Sequence, residues 1–203
     1  TSLYPYTKPS IKYSSKQQAF TIVELLIVIV VIAILAAISI AAYTNIQQRA
    51  KNTAIINAAS QSLKMIEAYI AANGDYPVAS WACITEISEC QAATSTEAKL
   101  PVNATFKTNM ATIGILPKNV PTEGDRLYGI SYIYTPAARF NGDVQPAFLR
   151  YFLVGKNQQC GLPGIMWWTA TDTYITSPTG YSSYESAYDK TLCSINIPGP
   201  AHS

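Results

Sequence analysis

Four cysteines, a single histidine and one glutamate at the head of an apolar run are the residues of this chain whose types and spacing could carry chemistry. Cys83 and Cys90 lie close together in sequence, and Cys160 and Cys193 both fall in the C-terminal third. An even count suits disulfides in an oxidising compartment, and four cysteines allow three pairings. The close cysteine pairs of a zinc cluster are missing and His202 is the only imidazole, so the spacing excludes a zinc or His-based metal site. Asp143, Asp172 and Asp189 could place oxygens around a calcium ion, but they lack the dense ligand spacing of a calcium loop. Neither a nucleophile elbow, a phosphate-binding loop nor a close carboxylate pair marks the sequence. The chain is therefore expected to have no catalytic residues, no cofactor and no metal. Glu24 remains, the only charge between residues 20 and 48. A carboxylate at the edge of a membrane-length apolar run is costly in the bilayer and usually has a definite partner; solvation at the headgroup level is the alternative.

The elements that must position these residues follow from composition and periodicity. With 49% apolar residues, 13% charged and a net charge of +2 over 203 residues, extended disorder is excluded for most of the chain. The near-neutral balance also removes the electrostatic case for a dedicated nucleic-acid binder, leaving room only for a weak contact with DNA. Charge is distributed unevenly. Residues 1–51 carry Lys8, Lys12, Lys16, Arg49 and Lys51 against Glu24 alone, whereas the remainder is slightly acidic. Residues 25–42 are apolar at every position except Ser39, enough to span a hydrocarbon core at about 1.5 Å of helix rise per residue.

Residues 1–19, TSLYPYTKPSIKYSSKQQA, are basic, contain prolines and lack any acid, and they read as an unfolded leader. A secretory signal peptide shares that layout, but its apolar region is only about 7 to 15 residues long, and here the helical pattern continues past the run. Ile55, Ala59, Leu63, Ile66 and Ile70 recur at helical steps on one stripe, and no Pro or Gly interrupts residues 20–73. Asn73-Gly74 supplies a stop, with Pro77 beyond it. The spacing predicts one helix over 20–73, its first half covered by lipid or other chains and its second half amphipathic on a domain of its own. Further on, residues 127–135, 147–154 and 165–169 have strand character and are separated by the turn signals Asn141-Gly142-Asp143 and Cys160-Gly-Leu-Pro-Gly164. An antiparallel sheet over 127–203 packed on the helix stripe gives an α+β architecture. Residues 74–126 are expected to connect the two, with 79–122 irregular apart from one short helix.

Residues 19–38, AFTIVELLIVIVVIAILAAI, together with Ala42-Tyr43 and Asn73-Gly74-Asp75-Tyr76-Pro77, closely resemble the type IV pilin family, which includes the pseudopilins of type II secretion. The resemblance implies the pilin fold and a single-pass membrane precursor. Its processing site would be Ala19 and Phe20: a prepilin peptidase cleaves before Phe20 and methylates the new amine, and the assembly machinery extracts the chain into an extracellular helical filament of identical subunits. It implies an assembly role for Glu24, whose partner would be the Phe20 amine of the adjacent subunit; were the leader retained, Lys16 would be the nearest partner in sequence. Ala19 stands where the family usually has Gly, and Ala33 and Ala41 stand where many relatives have a helix-weakening Gly and Pro, so less melting is expected here. Among the three pairings we favour Cys83 with Cys90 and Cys160 with Cys193, the second resembling the C-terminal disulfide-bounded loop of many pilins. Tyr174, Tyr181, Tyr184 and Tyr188 invite a binding-surface reading, with sheet core and subunit packing as the plainer one. A pilus subunit serving motility, adhesion or DNA uptake is the leading expectation, ahead of a secretion pseudopilin or a minor tip pilin that binds DNA or a surface.

Overall fold

The computed structural model describes residues 20–77, 79, 81–84, 89–90, 100–101, 103–117, 127–136, 138–140, 142–168, 173–176 and 180–200. The chain divides into two compact units, Thr1–Thr44 and Asn45–Ser203. Helix α1, Ile22–Asn73, is 52 residues long. It runs without interruption because residues 20–73 contain neither Pro nor Gly and include twelve Ala, the residue that costs a helix least. It stops where Gly74 takes φ of +76°, a left-handed conformation open to glycine, with the Gly74 N–H donating to the Ile70 carbonyl at 2.8 Å. Asn73 Nδ2 closes a second terminal carbonyl, that of Tyr69, at 2.9 Å.

In the first unit the described residues of α1 present Ile, Leu and Val to the surroundings on all sides, and none of the described side chains from Phe20 to Thr44 is buried. Among the described residues this is the one helix long and apolar enough to cross a membrane.

In the second unit the rest of α1 lies on a sheet. The strands in chain order are β1 Trp81–Cys83, β2 Glu89–Cys90, β3 Leu100–Pro101, β4 Ile130–Tyr134, β5 Arg139–Phe140, β6 Asp143–Val144, β7 Ala147–Val154, β8 Met166–Trp168, β9 Thr173–Thr176, β10 Ser183–Glu185 and β11 Lys190–Asn196. Five of them form an antiparallel sheet in the order β1-β4-β7-β11-β10. On β7 the alternate residues Ala147, Leu149, Tyr151 and Leu153 join one apolar cluster with Ile55, Ala59, Leu63, Ile66 and Ile70 of α1. Phe148 points to the opposite face, into a second cluster with Ile133, Ala138 and Met166. A strand covered on both faces has no polar face to show, which is why 147–154 reads as an almost continuous apolar run. The long helix followed by a five-stranded antiparallel sheet is the expected α+β layout, in keeping with a pilin fold.

Two expectations need correction. Residues 165–169 do contribute a strand, β8, but it joins a separate four-stranded sheet in the order β6-β5-β9-β8, in which β5 and β9 run parallel. Its link to the main sheet is the isolated bridge from Ile165 to Ile195. The place beside β7 belongs instead to β11, KTLCSIN, which carries Cys193 of the longer disulfide at its middle. Secondly, the stretch 79–122 contains more than one short helix. Helix α2, Ala104–Ala111, is capped by Asn103, whose side chain accepts from the Phe106 N–H at 3.0 Å, and it buries Phe106 and Met110. The same stretch also supplies β1 to the edge of the main sheet and the two-stranded pair β2-β3. Strands of two or three residues are too short for a period to register.

Polar ties hold α1 to the sheet where its packed half begins. Asn52 is buried, and its side-chain amide grips both backbone groups of Val154: Oδ1 accepts from the Val154 N–H at 2.8 Å and Nδ2 donates to the Val154 carbonyl at 3.0 Å. Gln48 Nε2 donates to the same carbonyl at 2.7 Å, and Asn52 Nδ2 also reaches Gln158 Oε1 at 3.2 Å. The chain then turns through Gly155, at φ of +94°, where a Cβ would fall 2.3 Å from Gln48 Nε2. At the other end of the domain Tyr76 Oη donates to the Ile197 carbonyl at 3.3 Å and Tyr132 Oη to the Pro77 carbonyl at 3.2 Å. Burial holds the Tyr132 and Tyr151 phenols well above their ordinary range and pushes Tyr76 up to about 12, with Tyr134 and Asp75 adding smaller contributions for Tyr76.

Candidate functional site

The first turn of α1 is built around a reciprocal pair. The Thr21 backbone N–H and hydroxyl both donate to Glu24 Oε2, at 2.8 and 2.7 Å, while the Thr21 hydroxyl oxygen accepts from the Glu24 backbone N–H at 3.2 Å. This is a capping box, in which two otherwise unpaired donors at the helix start are satisfied by the residues three apart. Its signal stood in the sequence as Thr21-Ile-Val-Glu24 before an apolar run, and the sequence reading, fixed on the charge of Glu24, passed over the partner next to it. The carboxylate therefore has two tasks. It completes the helix start in its own chain, and since both bonds fall on Oε2, the other oxygen retains acceptor capacity.

Phe20, immediately before the cap, is 84% exposed. Ala19 and Lys16 lie outside the described residues, as does the whole leader 1–19. Beyond Glu24 the apolar wall continues through residues 33–41, all of them helical, with the Ser39 hydroxyl donating back to the Leu35 carbonyl at 2.7 Å. Such a back-bond removes the only side-chain donor of the run from the surface and bends a helix without breaking it.

The cysteines lie in the second unit. Cys83 bonds to Cys90 and Cys160 to Cys193, bridging sequence separations of 7 and 33 residues. All four are buried. Cys193 pairs in register with Tyr151, whose hydroxyl donates to the Cys160 carbonyl at 2.5 Å, so the longer bridge is seated directly under the helix-facing side of the sheet. The tyrosines do not converge on one surface. Tyr181 packs against the core, Tyr184 on β10 donates to Asp189 Oδ1 at 2.8 Å, Tyr188 is half-buried in the turn before β11, and the backbone of Tyr174 belongs to the other sheet. Asp143 lies on β6, Asp189 lies at the turn into β11, and Asp172 and His202 are outside the described residues. Among the described residues no group of three or more His, Cys, Asp or Glu is placed to hold a metal ion.

A capped helix start, an exposed aromatic just before it and a membrane-length apolar wall stand together at the N-terminal end of α1. Residues 14–40 match the family described as the prokaryotic N-terminal methylation motif, the leader of type IV pilins and pseudopilins. The chain carries that motif, which supports a type IV pilin-like or pseudopilin reading and implies processing by a prepilin peptidase and its assembly machinery. No curated protein and no solved structure matches the chain. The leader motif and the apolar helix together fit a membrane-anchored precursor.

Proposed function

We propose that the chain is a structural, non-catalytic subunit of a type IV pilus, cleaved before Phe20, methylated there, and polymerised through α1 into an extracellular filament. The observation that carries this reading is the contrast within one helix. No described side chain before Thr44 is buried, whereas between Ile55 and Ile70 one stripe of the helix is buried against the sheet. Apolar area of that extent needs cover, first from lipid and then from the same segment of neighbouring subunits. Glu24 registers the subunits: the oxygen that Thr21 leaves open receives the Phe20 amine of the next chain, so a buried charge enters the filament core already paired.

The test is to shear surface fibres, image them, and determine the N-terminus of their main subunit by mass spectrometry. Methylated Phe20 is expected. The Glu24→Ala protein should keep both disulfides and its folded domain yet yield few or no fibres; fibres at normal abundance, or fibres lacking this chain, would count against the proposal.

A further inference from the structure

The Asn73-Gly74 pair that stops α1 also has chemistry of its own. An asparagine followed by glycine can close a cyclic succinimide. The glycine backbone nitrogen gives up its proton and attacks Cγ of the asparagine, and the side-chain amide leaves as ammonia. Water then opens the ring at either carbonyl, giving aspartate or isoaspartate, in which the main chain runs through Cβ. Glycine permits the step because it has no side chain to hinder the approach of its nitrogen. Ammonia out and water in complete the balance.

In the structure both reacting groups are held. The Gly74 N–H donates to the Ile70 carbonyl at 2.8 Å, which ties down the nucleophile. Asn73 Nδ2 donates to the Tyr69 carbonyl at 2.9 Å, which turns the side chain back along the helix. Asn73 is also helical, a backbone geometry that keeps Cγ and the following nitrogen too far apart to bond. Packing adds little: Asn73, Gly74 and Asp75 are exposed, and a Cβ placed on Gly74 would meet nothing within 4 Å. Tyr76, by contrast, is buried, with its hydroxyl on the Ile197 carbonyl at 3.3 Å and its ring centroid 6.0 Å from that of Tyr134. We propose that Asn73 is a site of spontaneous deamidation held silent by the last turn of α1, so that conversion there records openings of the helix end. Conversion is self-reinforcing. The product carboxylate cannot donate to the Tyr69 carbonyl, and it sets a negative charge at the negative end of the helix dipole, next to Asp75. Isoaspartate further adds one main-chain atom between the helix and the anchored Tyr76.

The test incubates the full chain in detergent and mildly alkaline buffer, folded and, in parallel, reduced and unfolded in guanidinium. Peptide mapping with fragmentation that distinguishes isoaspartate follows Asn73 separately from the chain's other such pair, Asn141-Gly142. Hydrogen exchange follows the Gly74 amide. Ring closure needs both hydrogen bonds broken, and each favours the closed end about fivefold, so Asn73 should convert about 25-fold more slowly in the folded chain than in the unfolded one. Guanidinium below the unfolding transition should raise Asn73 conversion and Gly74 exchange together. The Asn73→Asp variant, which carries the product side chain, should exchange its Gly74 amide about fivefold faster than the parent while its thermal melt stays cooperative. Equal conversion in the folded and unfolded chains overturns the protection, and no conversion at Asn73 in the unfolded chain overturns the site. A Gly74 amide that exchanges freely while Asn73 stays silent would show that something other than the helix end guards it, and would overturn the proposal.

Discussion

Asn52 is the single residue whose loss should most sharply separate hydrogen bonding from packing in this domain. Its amide makes three bonds: it accepts from the Val154 N–H at 2.8 Å, donates to the Val154 carbonyl at 3.0 Å and donates to Gln158 Oε1 at 3.2 Å. In Asn52→Ala the carbonyl keeps Gln48 Nε2, and Gln158, half-buried, can turn to water, but the Val154 N–H is left without that acceptor beneath the helix. One stranded donor costs about 1 to 3 kcal/mol and the two lesser losses add a fraction each, so a loss of about 2 to 3 kcal/mol is expected. Asn52→Asp is nearly isosteric and separates the contributions. It still accepts from the Val154 N–H, but its second oxygen now faces two acceptors, so the anion is disfavoured and the introduced carboxyl acquires a raised pKa in the folded state. Such a group contributes stability that is fully present below its unfolded pKa of about 3.9 and is lost as pH rises through the higher folded value. Urea unfolding in detergent at several pH values is the assay. Asn52→Asp should be at least as destabilised as Asn52→Ala at pH 7 and should recover towards the parent in acid, because the protonated acid can again donate to the Val154 carbonyl. A variant as stable as the parent at neutral pH, or one with no acid recovery, would show that the amide is held by neighbouring packing rather than holding anything itself.

Loop-closure entropy ranks the disulfides by the length they close, so removing Cys160–Cys193 should cost about 3.8 kcal/mol and Cys83–Cys90 about 2.5 kcal/mol; paired Ser variants unfolded in urea give the order, and equal losses would remove entropy as the reason. Raised phenol pKa values mean stability that is complete below about pH 10 and falls as pH rises towards the folded values, at up to about 1.4 kcal/mol per pH unit for each buried tyrosine. Tyrosinate absorbance should then show Tyr76, Tyr132 and Tyr151 ionising only together with unfolding, and their free titration near pH 10 would contradict their burial. At the helix head, Thr21→Val removes the hydroxyl that serves both as donor and acceptor, so amides of residues 21–25 should exchange faster by about fivefold, equivalent to a cap worth about 1 kcal/mol, while Thr21→Ser should restore protection.

The long-range signals were legible wherever a period had room to repeat. Five residues at helical steps named the packed stripe of α1, and every one of them is in the core. The apolar run, its lone carboxylate and the glycine stop likewise stood in plain sequence. Strands β4 and β7 were readable because a buried face forces β-branched and aromatic residues into a row, whereas β1, β2 and β3 are two or three residues long and are placed by partners far away in sequence. The same limit hid the split into two sheets: nothing local distinguishes a Met166–Trp168 that pairs with β11 from one that pairs with β9. At the site, Glu24 stood out as a charge out of place, and its bond partner was also legible in the Thr21-Ile-Val-Glu24 spacing of a capping box.

That local partner changes how the apolar half of α1 should be understood. A segment that passes from lipid into contact with other protein chains meets no water in the bilayer core to satisfy its polar groups, so any donor left open along it would penalise one of the two environments. Its backbone is closed on itself as a helix. Within residues 21–42 the side-chain polar groups are Thr21, Glu24 and Ser39, and each is satisfied within its own turn: Thr21 with Glu24, and Ser39 with the Leu35 carbonyl. Nothing along the wall needs a particular neighbour, so lipid and helix are interchangeable as cover and the exchange costs no hydrogen bond. Only the remaining acceptor capacity of Glu24 breaks that indifference, and it does so at the one end of the helix where, in the proposed filament, a free amine would be presented by the next chain. In the proposed filament, specificity of register would thereby be concentrated in a single group while affinity is spread over the whole apolar surface, a division that would let identical helices slide past one another until the charges meet.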